Sequence, residues 1–117
     1  IDPYLPYQKD PLHLFDLKNK SYEIQEFNNL DYLPDYPKTI IIPNGDIHII
    51  GGVKKKELIL NTHLVFRSTS SEVFKLTDLP YSVNPANGLV YHNKFIYLIG
   101  GMIEKSEWTK RCIRYSL

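Results

Sequence analysis

The 117-residue chain holds one cysteine, one methionine and one tryptophan. A lone Cys112 forms no internal disulfide, so no covalent cross-link holds the fold, and such sparing use of cysteine fits a reducing compartment. On a strand, this thiol is expected to act as a small buried apolar side chain. Neither sign of charge is in excess: 14 basic against 13 acidic side chains give +1. That balance argues against nucleic acid or an anionic membrane as partner. Long apolar runs are missing too, since Ile40 to Ile42 and Phe95 to Ile99 fall far short of a membrane-spanning helix. No secretory, transit or lipidation motif is visible in these residues. Helix is the scarcest element. Eight prolines are spread through the chain, and no stretch of a dozen residues keeps a 3.6 period free of proline or a turn cluster.

Aromatic side chains are abundant, with nine Tyr, five Phe and one Trp making 13% of the residues. They fall in short segments bounded by turn residues, which predicts an all-β, antiparallel protein. Two such segments end in Gly-Gly. Ile47 to Ile50 runs into Gly51-Gly52, and Ile96 to Ile99 runs into Gly100-Gly101. Each strand is apolar throughout, as expected of one buried on both faces. Aligned on the diglycines, Thr39 to Ile42 matches Gly88 to Tyr91 as a preceding strand, and Pro43 to Asp46 matches His92 to Phe95 as a tight connection. A polar segment follows each pair. An aromatic then stands at one fixed distance past the first glycine of each pair, Phe66 after Gly51 and Tyr115 after Gly100. Phe15 precedes Phe66 by nearly the same period, in a similar setting. The turns Lys18 to Ser21 and Arg67 to Ser71 lead from these strands to fourth strands bearing Tyr22 and Phe74.

A period near 50 with this internal order resembles the kelch repeat of β-propellers. The resemblance covers roughly residues 12–117. It departs from the usual pattern where Tyr22 and Phe74 replace a fourth-strand Trp, and where Phe15 and Phe66 replace a third-strand Tyr. It implies four-stranded antiparallel blades. Residues 1–38 would carry the third and fourth strands of a preceding blade with an inter-blade loop. Residues 39–87 would be one complete blade with its exit loop, and 88–117 the first three strands of the next. Two and a part blades close no ring, so the chain is expected to be a piece of a longer propeller whose remaining blades are its first partners. By the same resemblance Gly51, Gly52, Gly100 and Gly101 are structural, and Phe15, Tyr22, Phe66, Phe74 and Tyr115 pack between blades.

Chemistry is thinly signalled. His13, His48, His63 and His92 form no HxxxH, HxH or Cys/His pair of metal-ligand spacing. His48 aligns with Tyr97 and is expected to be packed or to face a channel. The run Ser68 to Ser71 with His63 and Asp78 has no nucleophile elbow and reads as a hairpin turn. Asp31 and Asp35 sit in a Pro- and Tyr-rich connection, better suited to a solvated loop than to an acid/base pair. The diglycines lack the spacing and the following helix of a phosphate cradle. No catalytic residue, metal ligand or cofactor site is assigned.

In kelch propellers the loop after the diglycine and the loop between blades open on one face, where family members bind proteins. That implies a protein-binding surface of Lys54, Lys55, Lys56 and Glu57 with Glu104, Lys105, Glu107 and Trp108. Tyr32, Asp35, Tyr36, Tyr81 and Asn84 join it from the inter-blade loops. Aromatic anchors within a polar rim suit an interface, although Trp108 could instead open the third strand and pack inward. The expected function is a non-catalytic scaffold or adaptor module, cytoplasmic and within a larger or cytoskeletal assembly. The alternative is an enzyme scaffolded on a propeller, such as a copper-radical oxidase or a sugar-acid isomerase.

Overall fold

The computed structural model describes residues 12–16, 18–25, 34–55, 58–86, 88–104 and 107–117. Every element among them is a strand, and every pairing is antiparallel. No helix of the described residues is long and apolar enough to cross a membrane. The chain divides into two compact units, Ile1–Asp31 and Tyr32–Leu117. In the first, β1 (Leu12–Asp16) pairs with β2 (Ser21–Gln25), setting Phe15 opposite Tyr22. The side chains of Phe15 and Tyr22 lie outside the described residues.

The second unit contains two larger sheets and two small hairpins. β3 (Thr39–Ile41), β4 (Ile47–Ile50), β7 (His63–Arg67) and β8 (Glu72–Lys75) form the sheet β3-β4-β7-β8. β9 (Leu89–His92), β10 (Phe95–Ile99) and β13 (Cys112–Ser116) form the sheet β13-β10-β9. The polar segments after the diglycines are folded as well. One makes β5 (Val53–Lys54) and β6 (Leu58–Ile59), the other β11 (Met102–Glu104) and β12 (Glu107–Trp108).

Backbone pairing recurs along the chain. Ile47 stands opposite Phe66, and Ile96 opposite Tyr115. Gly51 N–H donates to the Thr62 carbonyl and Gly100 N–H to that of Arg111, each at 2.8 Å. Leu60 N–H donates to Gly52 and Thr109 N–H to Gly101, each at 2.9 Å. In every case the second set repeats the first at the interval that separates Gly51 from Gly100. The preceding strands do not keep that interval. Ile41 faces Ile47, but it is Tyr91 that faces Ile96, so Ile41 corresponds to Tyr91 and the expected match of Ile42 with Tyr91 slips by one. Turn length is the cause. Asn93 and Lys94, at φ 48° and 69°, make a two-residue loop between β9 and β10, the geometry of a type I′ turn. Between β3 and β4, Gly45 at φ 93° adds a residue, and its N–H returns to the Ile42 carbonyl.

The fourth strands correct a second alignment. Val73 pairs with Phe66 as Tyr22 pairs with Phe15, so Phe74 is not the counterpart of Tyr22 and points to the opposite face.

The apolar core lies between the two sheets. Ile40, Ile42 and Ile50 from the first pack with Leu89, Tyr91, Ile96, Leu98, Ile113 and Tyr115 from the second, and Val83 is wholly buried in the same cluster. Alternation along β10 therefore buries Ile96 and Leu98, while Ile99 on the other face is 53% exposed. The expectation that this strand is buried on both faces fails, because that second face has no covering sheet among the described residues. In contrast β7 is buried from His63 to Phe66. Cys112 is exposed rather than buried, since it lies on the uncovered face of an edge strand. Phe74, expected between sheets, is 45% exposed because β8 is also an edge strand. Phe74→Ala should thus cost only about 1 kcal/mol. Urea melts showing the roughly 3–5 kcal/mol typical of a buried Phe would return it to the core.

Candidate interaction surface

Both diglycines are corners at which the chain leaves a large sheet and enters a small hairpin, and each corner is clamped by an incoming segment. Tyr36 and Val53 exchange backbone hydrogen bonds of 3.0 and 3.5 Å; Asn84 and Met102 exchange bonds of 2.8 and 2.9 Å. The segment Tyr81 to Asn84 joins the two corners, because the Val83 carbonyl also accepts from Gly52 N–H at 3.1 Å. Close approach of these backbones leaves no room for a side chain. A Cβ on Gly52 would lie 2.8 Å from the Tyr36 carbonyl oxygen, and one on Gly101 2.7 Å from that of Asn84.

Most of the candidate loop residues gather on these corners. At the first, the Asp35 carboxylate accepts the Lys55 backbone N–H at 2.7 Å, Lys55 takes φ 51°, and Tyr36 is 61% exposed. Lys54 is half-buried on β5. At the second, Glu104, Glu107 and Trp108 are exposed on the β11-β12 hairpin, with Trp108 opposite Met102. Trp108 is 67% exposed, so it does not enter the core through the third strand. Tyr81 is partly withdrawn. Its ring packs on the apolar cluster with the Arg111 guanidinium 5.2 Å above it, and burial raises its phenol pKa. Tyr32, Lys56, Glu57 and Lys105 lie outside the described residues.

A buried polar cluster sits within the sheets, and no spacing rule would find it. His48 and His63 are 2% and 1% exposed, and His48 Nδ1 lies 2.8 Å from His63 Nε2. One ring donates and the other accepts, so the pair is stable with both imidazoles neutral. Burial lowers the pKa of both, His63 to about 4; the neighbouring His48 adds to that shift. The Tyr115 ring meets His63 edge-on at 4.5 Å. His48 Nε2 and His63 Nδ1 have no hydrogen-bond partner among the described residues.

One turn away, Asp46 is 3% exposed and accepts from Ser68 N–H at 3.0 Å, the Arg67 guanidinium at 2.9 Å and the Asn44 amide at 3.1 Å. The Ser68 amide leads in holding its carboxyl below the usual range, while burial opposes. Asp46 thereby ties the β3-β4 turn to the β7-β8 turn. Ser68 is committed to that turn and to Asp46 through both its N–H and its hydroxyl. Among the described residues no three His, Cys, Asp or Glu side chains converge as a metal site. No family model and no curated protein matches the chain.

Proposed function

We propose that this chain forms blades of a kelch-like β-propeller whose diglycine corners present loops to a protein partner. The observation that carries the reading is the recurrence of strand register and corner hydrogen bonds at the Gly51-to-Gly100 interval, in two sheets stacked face to face. The stacking is directional, which suits a propeller. His48, Ile50, His63 and Val65 line the inner face of the first sheet, and their equivalents one period on are Tyr97, Ile99, Cys112 and Arg114, on the uncovered face of the second. A further sheet stacked there would repeat the interface already present. Electron microscopy of the native protein should reveal a ring with a central opening; a compact particle without one would remove the propeller.

The binding role rests on an exposed Trp, an exposed Tyr and mixed charge held on clamped, hydrogen-bonded corners. An exposed free thiol also fits the reducing cytoplasm. Partners cross-linked to the protein in its own cells can be purified and their affinities measured. Trp108→Ala should weaken such a partner by about tenfold or more with Tm unchanged. Charge reversal at Lys54, Lys55 and Lys56 should slow its association. Unaltered binding in both variants would leave these corners as ordinary solvent-facing chain.

A further inference from the structure

The two stacked sheets differ at one edge. β7 carries β8 along its outer side, whereas β13 has a strand neighbour on one side only among the described residues. The direction of the unused hydrogen bonds follows from the correspondence. Leu76 N–H donates to the His63 carbonyl, so His63, Val65 and Arg67 turn their peptide groups toward β8. The matching residues Cys112, Arg114 and Ser116 turn theirs off the free edge, while Ile113 and Tyr115 bond to β10.

Two features beside this edge specify what could occupy it. An open cleft of about 430 Å³, with Leu79, Pro80, Ile96, Leu98, Ile113 and Tyr115 in its walls, lies on the inner side. On the outer side, the exposed Arg114 holds its guanidinium 4.3 Å over the Phe95 ring.

We propose that the β13 edge takes up an extended segment of a partner protein as a fourth, antiparallel strand. Apolar side chains opposite Ile113 and Tyr115 enter the cleft, and an acidic side chain stands opposite Arg114. Strand addition supplies the backbone bonds, and the alternating pockets supply selectivity. The cross-strand position beside a cation favours a carboxylate. A second copy of this chain suits the edge less well, because fully overlapped antiparallel β13 strands would set two Arg114 guanidinium groups opposite each other. The inference stands on the two sheets alone and does not need a closed ring.

The test is residue-resolved amide hydrogen exchange with a blocked peptide, Thr-Val-Glu-Ile-Thr. On saturation, exchange at Cys112, Arg114 and Ser116 should slow by about tenfold or more, with Ile113 and Tyr115 changed little. A peptide with Lys for Glu should bind about tenfold more weakly, and Arg114→Glu should invert that preference. No saturable slowing up to about 10 mM peptide would overturn the proposal, since even a millimolar complex would register. Equal slowing at all five amides would overturn it as well. So would slow exchange at the three outward amides in dilute free protein, which would mean the edge is already covered. Protection that grows with protein concentration alone would overturn it too, assigning the edge to a second copy instead.

Discussion

Gly51→Ala is expected to destabilise the second unit by about 4 kcal/mol or more, among the largest effects a single methyl group can have. Two costs combine. Gly51 takes φ 58°, a left-handed conformation that costs an L-residue roughly 1–2 kcal/mol. A Cβ built there would also overlap the Val83 carbonyl oxygen. That oxygen accepts from Gly52 N–H, and Val83 is 0% exposed in the core between the sheets. Neither the carbonyl nor its own residue can move without breaking the clamp or opening the core. The counterpart at the second corner separates the two costs. Gly100 takes φ 67°, but its Cβ would come no nearer than 3.2 Å, to the Thr109 oxygen. Gly100→Ala should therefore cost only about 1–2 kcal/mol, the backbone part alone. Urea melts of both variants measure the difference. Equal losses would mean that the Val83 contact is not what fixes the first corner.

That contrast marks how far the sequence could be read. The diglycines, the aromatics at a fixed distance beyond them and the turn-bounded apolar segments identified the all-β class, the strand order and the corners. They did so because each feature is local and recurs. What stayed hidden depended on neighbours across space. A two-residue turn and a turn with an added Gly45 both look like tight connections, so the preceding strands were aligned one residue out of step. Phe95 to Ile99 reads as continuously apolar, yet burial of one face depends on which sheet covers it, and Ile99 is left exposed. Cys112 and Phe74 were placed inside by residue type, whereas edge position decides their exposure. Of the candidate loop residues, Asp35, Tyr36, Lys54 and Lys55 meet at one corner and Asn84, Glu104, Glu107 and Trp108 at the other, as the spacing implied. The histidine pair was missed because its members are far apart in sequence and match no ligand spacing. Pairing Ile50 with His63 and His48 with Val65 puts both rings on one face as diagonal neighbours. Drawing the register from the diglycine offset would have revealed it.

Acid should unfold this protein through that pair. In the unfolded chain His63 titrates near its ordinary 6.5, but in the native sheet burial lowers it to about 4. Between these values the unfolded state binds a proton that the native state refuses, so stability falls as pH falls. The contribution is whole above pH 6.5, declines through the window and is fully lost below pH 4, amounting to about 3 kcal/mol. His48 acts in the same direction, its charged form disfavoured by burial and by Arg67, with Asp46 opposing. Asp46 is lowered from 3.8 and contributes separately, in more acid solution. Urea unfolding at a series of pH values from 8 to 4 should follow this slope. The double variant H48L/H63L keeps apolar volume and removes both sites, so its slope across the window should flatten. Its stability at pH 8 should change little, because replacing both members of a buried hydrogen-bonded pair by apolar groups leaves no orphaned partner. An undiminished slope in the double variant would move the acid sensitivity to other groups. A flat slope in the natural sequence would mean that the two rings accept protons without leaving the core.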